Sequence, residues 1–543
     1  MQKRTVNISI FIFFLILLAT PWLINEFKKK EKTKAKNSNE ALALKRYGFY
    51  LKEVSSKIGI NFKHETPRLD SSLSNIMPEV ASMGASVSVA DFNDDGWEDI
   101  YLTNSRKGTK NALYENEGNG HFKNVASKMG VAKLNTDKKG VSTGAVWGDY
   151  DNDGYPDLFV YRWGKPVLYH NDHGKGFTKV PESKTHFPKW VNANTAIWLD
   201  YNDDGNLDLF IGGYYRSDID LWHLNTTKIM PASFEYADNG GHNYLFRNNG
   251  DGTFTNVTKK MGLNSTRWTL AAGAADLNGS GYPDLMIAND YAIDQLYINQ
   301  HGKHFKLDRH SKIGFAPKSG MNVAFGDVLN QGKFDIYITN ISQPGVLIQG
   351  NNLWVPSSNG SEKRLNYKDL AKNMGVALGG WSYGAQFGDL NDDGFLDLYV
   401  TNGEVSDKKG TDYWYDFSKV AGGNKHVIAN AKHWPAMKGR SLSGYEQNRI
   451  WLNDGAGKFH EVSNAVGGGL KLDGRSVAFA DLWNNGALDI IVASRKGRVK
   501  VYKNTVAKDH NWIGFKLIGT KSNRSAIGAS VELYWGDQKQ KQV

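Results

Sequence analysis

Residues 147–160 read WGDYDNDGYPDLFV: an aromatic strand end, a tight turn carrying Asp149, Asp151, Asp153 and Asp157, and a second apolar strand. The phrase recurs. VADFNDDGWEDIYL (89–102), WLDYNDDGNLDLFI (198–211) and FGDLNDDGFLDLYV (387–400) repeat it in full. AADLNGSGYPDLMI (274–287), FGDVLNQGKFDIYI (325–338) and FADLWNNGALDIIV (479–492) repeat it with substitutions. Seven copies along one chain mark a repeat architecture.

A second element alternates with the first: an aromatic residue, two more, then Val or Leu, usually after a Gly/Asn turn. Examples are Phe122–Val125, Phe177–Val180, Phe254–Val257 and Phe459–Val462, following turns such as ENEGNGHF and RNNGDGTF. Each repeat therefore reads as four short antiparallel strands, which is a propeller blade. The expected fold is all-β: a seven-bladed β-propeller over 49–505. The last repeat lacks its fourth strand, and the matching sequence, Tyr50 to Ser55, stands before the first repeat. That strand is expected to complete the last blade and remove the open edge.

The turns follow the pattern D-x-[DN]-x-D-G-x-x-D. Positions 1, 3 and 5 crowd oxygen side chains into one turn, Gly at 6 allows the reversal, position 7 offers a carbonyl, and Asp at 9 closes the shell. Ca²⁺ takes six to eight hard oxygens in a flexible shell, which suits this spacing better than it suits Mg²⁺. The expected ligand sets are Asp91, Asn93, Asp95 and Asp99; Asp149, Asp151, Asp153 and Asp157; Asp200, Asn202, Asp204 and Asp208; and Asp389, Asn391, Asp393 and Asp397. Asp276, Asn278, Ser280 and Asp284 form a weaker set with one carboxylate fewer. In the copies at 325–338 and 479–492, Leu329 and Trp483 stand at position 3, so no metal is expected there. About four or five structural calcium ions follow from this count. The competing reading is that Asp/Asn/Gly turns recur because they make good hairpins. Four full copies weigh against it, since carboxylates so crowded repel without a cation.

The rest of the composition narrows the field. With no Cys, disulfides, thiolate metal sites and Cys nucleophiles are excluded. The formal charge of +10 is concentrated at the start: residues 1–36 hold eight Lys/Arg against two Glu, leaving a body that is only +4. A near-neutral body with no basic stripe speaks against nucleic acid as a partner. Lys3 and Arg4 precede an apolar run from Val6 to Ile24, and six lysines follow it. The run is long enough to span a bilayer, so 1–27 is expected to be a transmembrane anchor or signal helix and 28–48 a Lys-rich linker. Charge counting places the lysines in the cytoplasm, whereas calcium loops favour an exported body. Export, with the propeller in the periplasm or at the cell surface, is the expectation adopted.

These repeats resemble the FG-GAP/VCBS-type calcium propellers, of which the integrin α-subunit head is one. More closely, the chain is similar to cartilage-acidic-protein-like bacterial proteins that end in an ASPIC/UnbV segment. That likeness rests on Asn511-Trp512-Ile513-Gly514-Phe515, on the stretch from Gly519 to Ala529, and on the lead-in Gly59 to Glu65. It implies a partial ASPIC/UnbV segment of short β structure at 506–543, because the family's segment runs on further than Val543. It supports fold and calcium more than function.

Two functional classes remain. One is a membrane-anchored binding, adhesion or scaffold module for a protein or glycan, with Trp268, Trp381 and Tyr383 and the polar Asn194, Asn322, Ser382 and Arg475 at one channel mouth and the insertion 402–445 projecting over a face. The other is a polysaccharide hydrolase or lyase working in the funnel, or an accessory protein of a biosynthetic or export complex. No G-x-S-x-G, H-E-x-x-H or P-loop is present, and the acidic clusters are committed to the loops. A non-enzymatic role is the expectation. His64 and Glu65 are the remaining catalytic candidates, and His426 and His433 stand too far apart for a tight ligand pair.

Overall fold

The computed structural model describes residues 39–357, 364–507, 510–536 and 538–542. The expected helix of 1–27 lies outside them. Among the described residues no helix is long and apolar enough to cross a membrane. Residues 39–47, at the end of the stretch read as a linker, are helical.

The chain is all-β, and each of the first six Asp-loop repeats is an antiparallel meander of four short strands. Unit one comprises Val87–Ala90, Asp99–Leu102, Ala112–Asn116 and Phe122–Asn124. Unit two (Gly140–Gly148, Asp157–Gly164, Val167–Asn171, Phe177–Lys179) and unit three (Val191–Leu199, Asp208–Tyr215, Tyr244–Asn248, Phe254–Asn256) join into one eight-stranded sheet through a short pairing of Val191 with Gly164 and Asn192 with Trp163. Unit four is Thr269–Ala275, Asp284–Asn289, Gln295–Asn299 and Phe305–Leu307. Unit five is Val323–Gly326, Asp335–Ile338, Asn352–Pro356 and Tyr367–Asp369, and unit six is Ser382–Gly388, Asp397–Asn402, Arg449–Asn453 and Phe459–Glu461. The last sheet holds Gly474–Ala480, Asp489–Ser494 and Lys500–Val506, and its outer strand is Phe49–Glu53, with Phe49 opposite Val506 and Glu53 opposite Tyr502. The first strands of successive units touch in order, and Gly474–Ala480 touches Val87–Ala90 in turn.

Sheets packed on both faces need apolar residues on both. The second strands meet that need: Leu158 to Val160, Leu209 to Ile211, Ile336 to Ile338 and Leu398 to Val400 are all buried. First strands crowd together and are built from small residues. A Cβ on Gly148 would stand 2.7 Å from Trp198.

Neighbouring units are also stapled by hydrogen bonds. At one matching position the third strand carries an Asn in every unit but the fifth, at its end in units one to four and six and as Asn504 in the last, and that buried amide reaches the carbonyl of loop position 2 in the preceding unit. Asn171 donates to Phe92 (2.8 Å), Asn248 to Tyr150 (2.7 Å), Asn299 to Tyr201 (2.8 Å), Asn453 to Val328 (2.9 Å) and Asn504 to Leu390 (2.8 Å). Asn116 of unit one donates to Leu482 of the last unit at 3.0 Å. In unit five the position belongs to Pro356.

The end of the units opposite the Asp loops is closed. Residues of 69–80, 214–237 and 405–442 pack into one apolar cluster that includes Leu73, Trp222, Trp268, Trp414, Phe417 and Trp434. Trp381, Tyr383 and Arg475, expected at an open mouth, are buried beneath this cap, and the insertion 402–445 supplies part of it rather than projecting. Two ion pairs are buried there, Arg475–Glu404 at 3.0 Å and Arg495–Asp473 at 3.2 Å.

Removing a buried amide that leaves a carbonyl unpaired costs about 1–3 kcal/mol. Asn248→Ala is expected to lower unfolding stability by that amount in denaturant titration. Pro356→Asn, which supplies the missing staple and a backbone N–H for Asp335, is expected to raise the melting temperature.

Candidate metal centre

The loop backbone is the same in every unit. Position 4 lies in the left-handed region (Asp94 φ 55, Asn152 φ 60, Asp203 φ 57, Asp392 φ 55), as does the Gly at position 6 (Gly154 φ 100). That geometry explains why position 4 is always Asp, Asn or Gly. Position 1 accepts two backbone N–H groups. Asp91 takes those of Asp95 (3.0 Å) and Gly96 (2.9 Å), and Asp149 those of Asp153 (3.0 Å) and Gly154 (2.8 Å). Asp200, Asp276 and Asp389 do the same. Position 9 is buried and accepts from position 2 and, outside unit five, from the third-strand Asn. Asp99 takes Phe92 N–H at 3.2 Å and Asn116 N–H at 2.7 Å, and Asp157, Asp208, Asp284 and Asp397 repeat the pattern.

The loops at 325–338 and 479–492 act as internal controls. Asp327 and Asp481 at position 1, and Asp335 and Asp489 at position 9, make the same loop bonds although Leu329 and Trp483 replace the ligand at position 3. Positions 1 and 9 are thus required by the turn itself. Positions 3 and 5 are not, and those are where the full loops add Asp95, Asp151, Asp153, Asp204 and Asp393.

Position 3 supplies the test of fit. The Oδ1 atoms of Asn93, Asn202 and Asn391 are buried and have no hydrogen-bond partner among the described residues. Their amide groups turn instead to Asp95 (2.9 Å), Asp204 (2.7 Å) and Asp393 (2.9 Å). A buried acceptor without a donor is costly, and a cation among positions 1, 3, 5 and 9 satisfies it. In unit two, carboxylate oxygens of Asp149, Asp151 and Asp157 lie within 4.8 Å of one another. Unit four keeps the turn with Ser280 at position 5. The residues present fit an oxygen-coordinated divalent cation, which would supply rigidity and charge balance here, not chemistry.

Burial sets the electrostatics. It pushes the carboxyls of Asp99 and Asp489 up to about 8, and those of Asp157, Asp284 and Asp389 up to about 7, with neighbouring carboxylates adding to the rise. Asp208, Asp335 and Asp397 are raised well above the carboxylate range for the same reason. A bound cation reverses this. Unit two has an additional group: contact with Asp157 and the surrounding carboxylates lifts His170 to about 9.

Other sequence candidates separate. His64 is buried, bonded to Arg495 O at 2.6 Å and Ser105 Oγ at 3.0 Å, and burial lowers it to about 4. Glu65 pairs with Arg106 at 2.8 Å. His433 Nδ1 lies 3.2 Å from the backbone carbonyl of His426. Sequence reasoning missed the third-strand Asn, although LYEN, LYHN, LFRN, LYIN, IWLN and VYKN all carry it. It also missed His170. The C-terminal segment lies across the loop end: Ser525 Oγ accepts Asp149 N–H (3.0 Å), Asn152 Oδ1 accepts Arg524 N–H (2.8 Å), Lys516 pairs with Asp94 (2.8 Å), and Asp327 accepts Lys541 N–H (3.1 Å). It ends in a hairpin of Val531–Trp535 and Gln538–Gln542.

The FG-GAP-like repeat family model matches residues 91–160, 149–211, 234–287 and 441–492, so the chain carries these repeats. It is related to cartilage acidic protein 1, at 29% identity with the Homo sapiens protein and 28% with that of Mus musculus, each over 181 residues and 32% of this chain. The match spans about a quarter of those relatives, 26% and 27% of their lengths. Among solved structures, an Agrocybe aegerita lectin that recognises non-reducing terminal N-acetylglucosamine aligns over 76% of this chain and 87% of its own, at 16% identity and a TM-score of 0.39. The N-terminal part of BBS1, in complex with ARL6, aligns over 83% of this chain and 100% of its own, at 8% identity and a TM-score of 0.43.

A carboxyl whose folded pKa lies above its unfolded value of about 4 holds its proton more tightly in the native chain, so ionising it lowers stability. In chelator, the melting temperature is therefore expected to fall between pH 5 and pH 8. His64, depressed to about 4, opposes this only below about pH 6.5. Calcium is expected to abolish most of the fall. A metal-free melting temperature that climbs over that range would contradict the assignment of these carboxyls.

Proposed function

We propose that the chain is a calcium-stabilised, membrane-anchored seven-bladed β-propeller, carried outside the cytoplasm, that serves as a binding or scaffold module for a protein or glycan. The observation that carries the calcium reading is the unpartnered, buried Oδ1 of Asn93, Asn202 and Asn391, found in loops whose ligand-poor counterparts keep the same turn. The blade reading rests on the repeated four-stranded sheets and on the contact of the last first strand with the first. The anchor rests on the apolar run Val6–Ile24.

A ligand surface is supported at the loop end. There the first strands of units five to seven and the C-terminal segment enclose about 1350 Å³, lined by Phe325, Phe387, Phe479, Trp512 and Trp535 with polar Gln386, Asn511 and Gln540. Aromatic walls with a few polar groups suit a sugar or a peptide. Non-enzymatic function is supported by the loop carboxylates being engaged in backbone bonds and by the structural pairing of His64 and Glu65.

The test is metal counting on the purified chain together with thermal unfolding with and without chelator. Four ions are expected with calcium, at units one, two, three and six, and a weaker fifth at unit four. A site at a hundredfold excess of ligand over its Kd adds about 2.7 kcal/mol. Asp393→Ala is expected to remove one ion and Gln331→Ala none. Retention of no metal, with no change of melting temperature on chelation, would reduce the loops to turns.

A further inference from the structure

The full loops are not chemically alike. Units one, three and six place Asn at position 3, whereas unit two places Asp151. The residue before the third-strand Asn differs as well: Glu115, Arg247 and Leu452 in units one, three and six, but His170 in unit two. The imidazole of His170 turns into the loop. Its Nδ1 lies 3.0 Å from Asp151 Oδ2 and 3.4 Å from Asp157 Oδ1. That nitrogen is sealed from solvent and makes no well-directed hydrogen bond among the described residues. Asp151, Asp153 and His170 offer ligand atoms within 4.8 Å of one another, as do Asp149, Asp151 and Asp157.

We propose that the loop of unit two is a transition-metal site, in which Asp149, Asp151, Asp157 and the Nδ1 of His170 hold a zinc-class divalent ion in preference to calcium. The assignment rests on the metal-loop reading above and adds the identity of the metal at one loop. Ligand type argues for it. Imidazole nitrogen suits Zn²⁺ and its first-row neighbours, whereas Ca²⁺ takes oxygen. Spacing agrees, since metal–ligand bonds of about 2.0–2.1 Å give polyhedron edges of about 3.0 Å in an octahedral shell and about 3.4 Å in a tetrahedral one. The outer ring nitrogen lies near Asp172, with Nε2 3.9 Å from Oδ1, beyond hydrogen-bond range. The alternative is that a protonated His170 neutralises the loop in place of a metal.

The experiment uses the full chain, stripped of metal, reloaded at millimolar Ca²⁺, and then titrated with Zn²⁺ while both metals are counted. One Zn²⁺ per chain is expected to bind with release of one Ca²⁺. Co²⁺ in place of Zn²⁺ is expected to give a visible absorption band of a nitrogen-containing site. His170→Gln should weaken zinc binding at least about tenfold and remove the cobalt band while the calcium of units one, three and six stays bound. Asp151→Asn, which restores the pattern of the other loops, should weaken zinc too, and Asp393→Ala should lower the calcium count without touching zinc. Zinc binding unchanged in His170→Gln, or no zinc uptake against calcium, overturns the assignment and favours the imidazolium reading. Loss of both metals from the unaltered chain would instead overturn the loop reading itself.

Discussion

Every unit turns on one buried carboxylate, that of loop position 9. It accepts the N–H of position 2 and so closes the turn. In all but unit five it also accepts the N–H of the third-strand Asn. The same Asn then donates its side chain to the neighbouring unit. Turn, sheet and inter-unit contact thus share one anchor, and losing it would leave several buried groups unpaired together. That is why Asp335 and Asp489 are kept in loops where Leu329 and Trp483 replace the oxygen side chain at position 3.

The loop carboxylates divide into two kinds. Those at positions 1 and 9 are held by backbone donors in every loop and belong to the turn; position 5 accepts the N–H of position 7, but uncharged Ser280 and Asn485 do this as well, so the charge at 3 and 5 is extra to the turn. Burial raises the first kind, and crowding by the second makes the site unfavourable when ionised and empty. A cation removes both penalties in one step. The opposite end of the units is organised differently, with an apolar cap sealing Glu404–Arg475 and Asp473–Arg495. Burying those pairs is not a source of stability in itself, since desolvation offsets the attraction. Their guanidinium groups also bind carbonyls from separate segments, as Arg475 does with Ser82 and Gly403. They fix how the cap sits.

Much of the fold was legible because its signals are local. The Asp-Gly turns with alternating apolar strands placed every unit, and the unmatched strand at Tyr50 pointed to the sheet that lacked one. The Asp loops were legible for the same reason, since their repeated positions lie within nine residues of each other. What the sequence concealed was non-local. His170 joins Asp151 from across a strand, and each third-strand Asn acts on a different unit from its own. Trp268, Trp381 and Tyr383 face a mouth in the repeat pattern but are covered, because three insertions separated by hundreds of residues meet over them.

Tyr47 and Gly48 on one side and Ala507 and His510 on the other, which flank the repeats, meet at one loop. Asn391, at loop position 3 of unit six, donates its amide to Tyr47 O at 3.3 Å, and its own carbonyl contacts His510. Ala507 N–H bonds Gly48 O at 2.8 Å beside them. The strand Phe49–Glu53 follows directly and completes the last sheet. A repeat array stabilised only by nearest neighbours frays at its ends, so the joint between last and first units is where this architecture is weakest. An ion in the loop of unit six would order Asn391 and, through it, both segments that close that joint. Metal at this one position therefore bears on the whole ring of contacts, whereas metal in unit three stiffens chiefly its own unit.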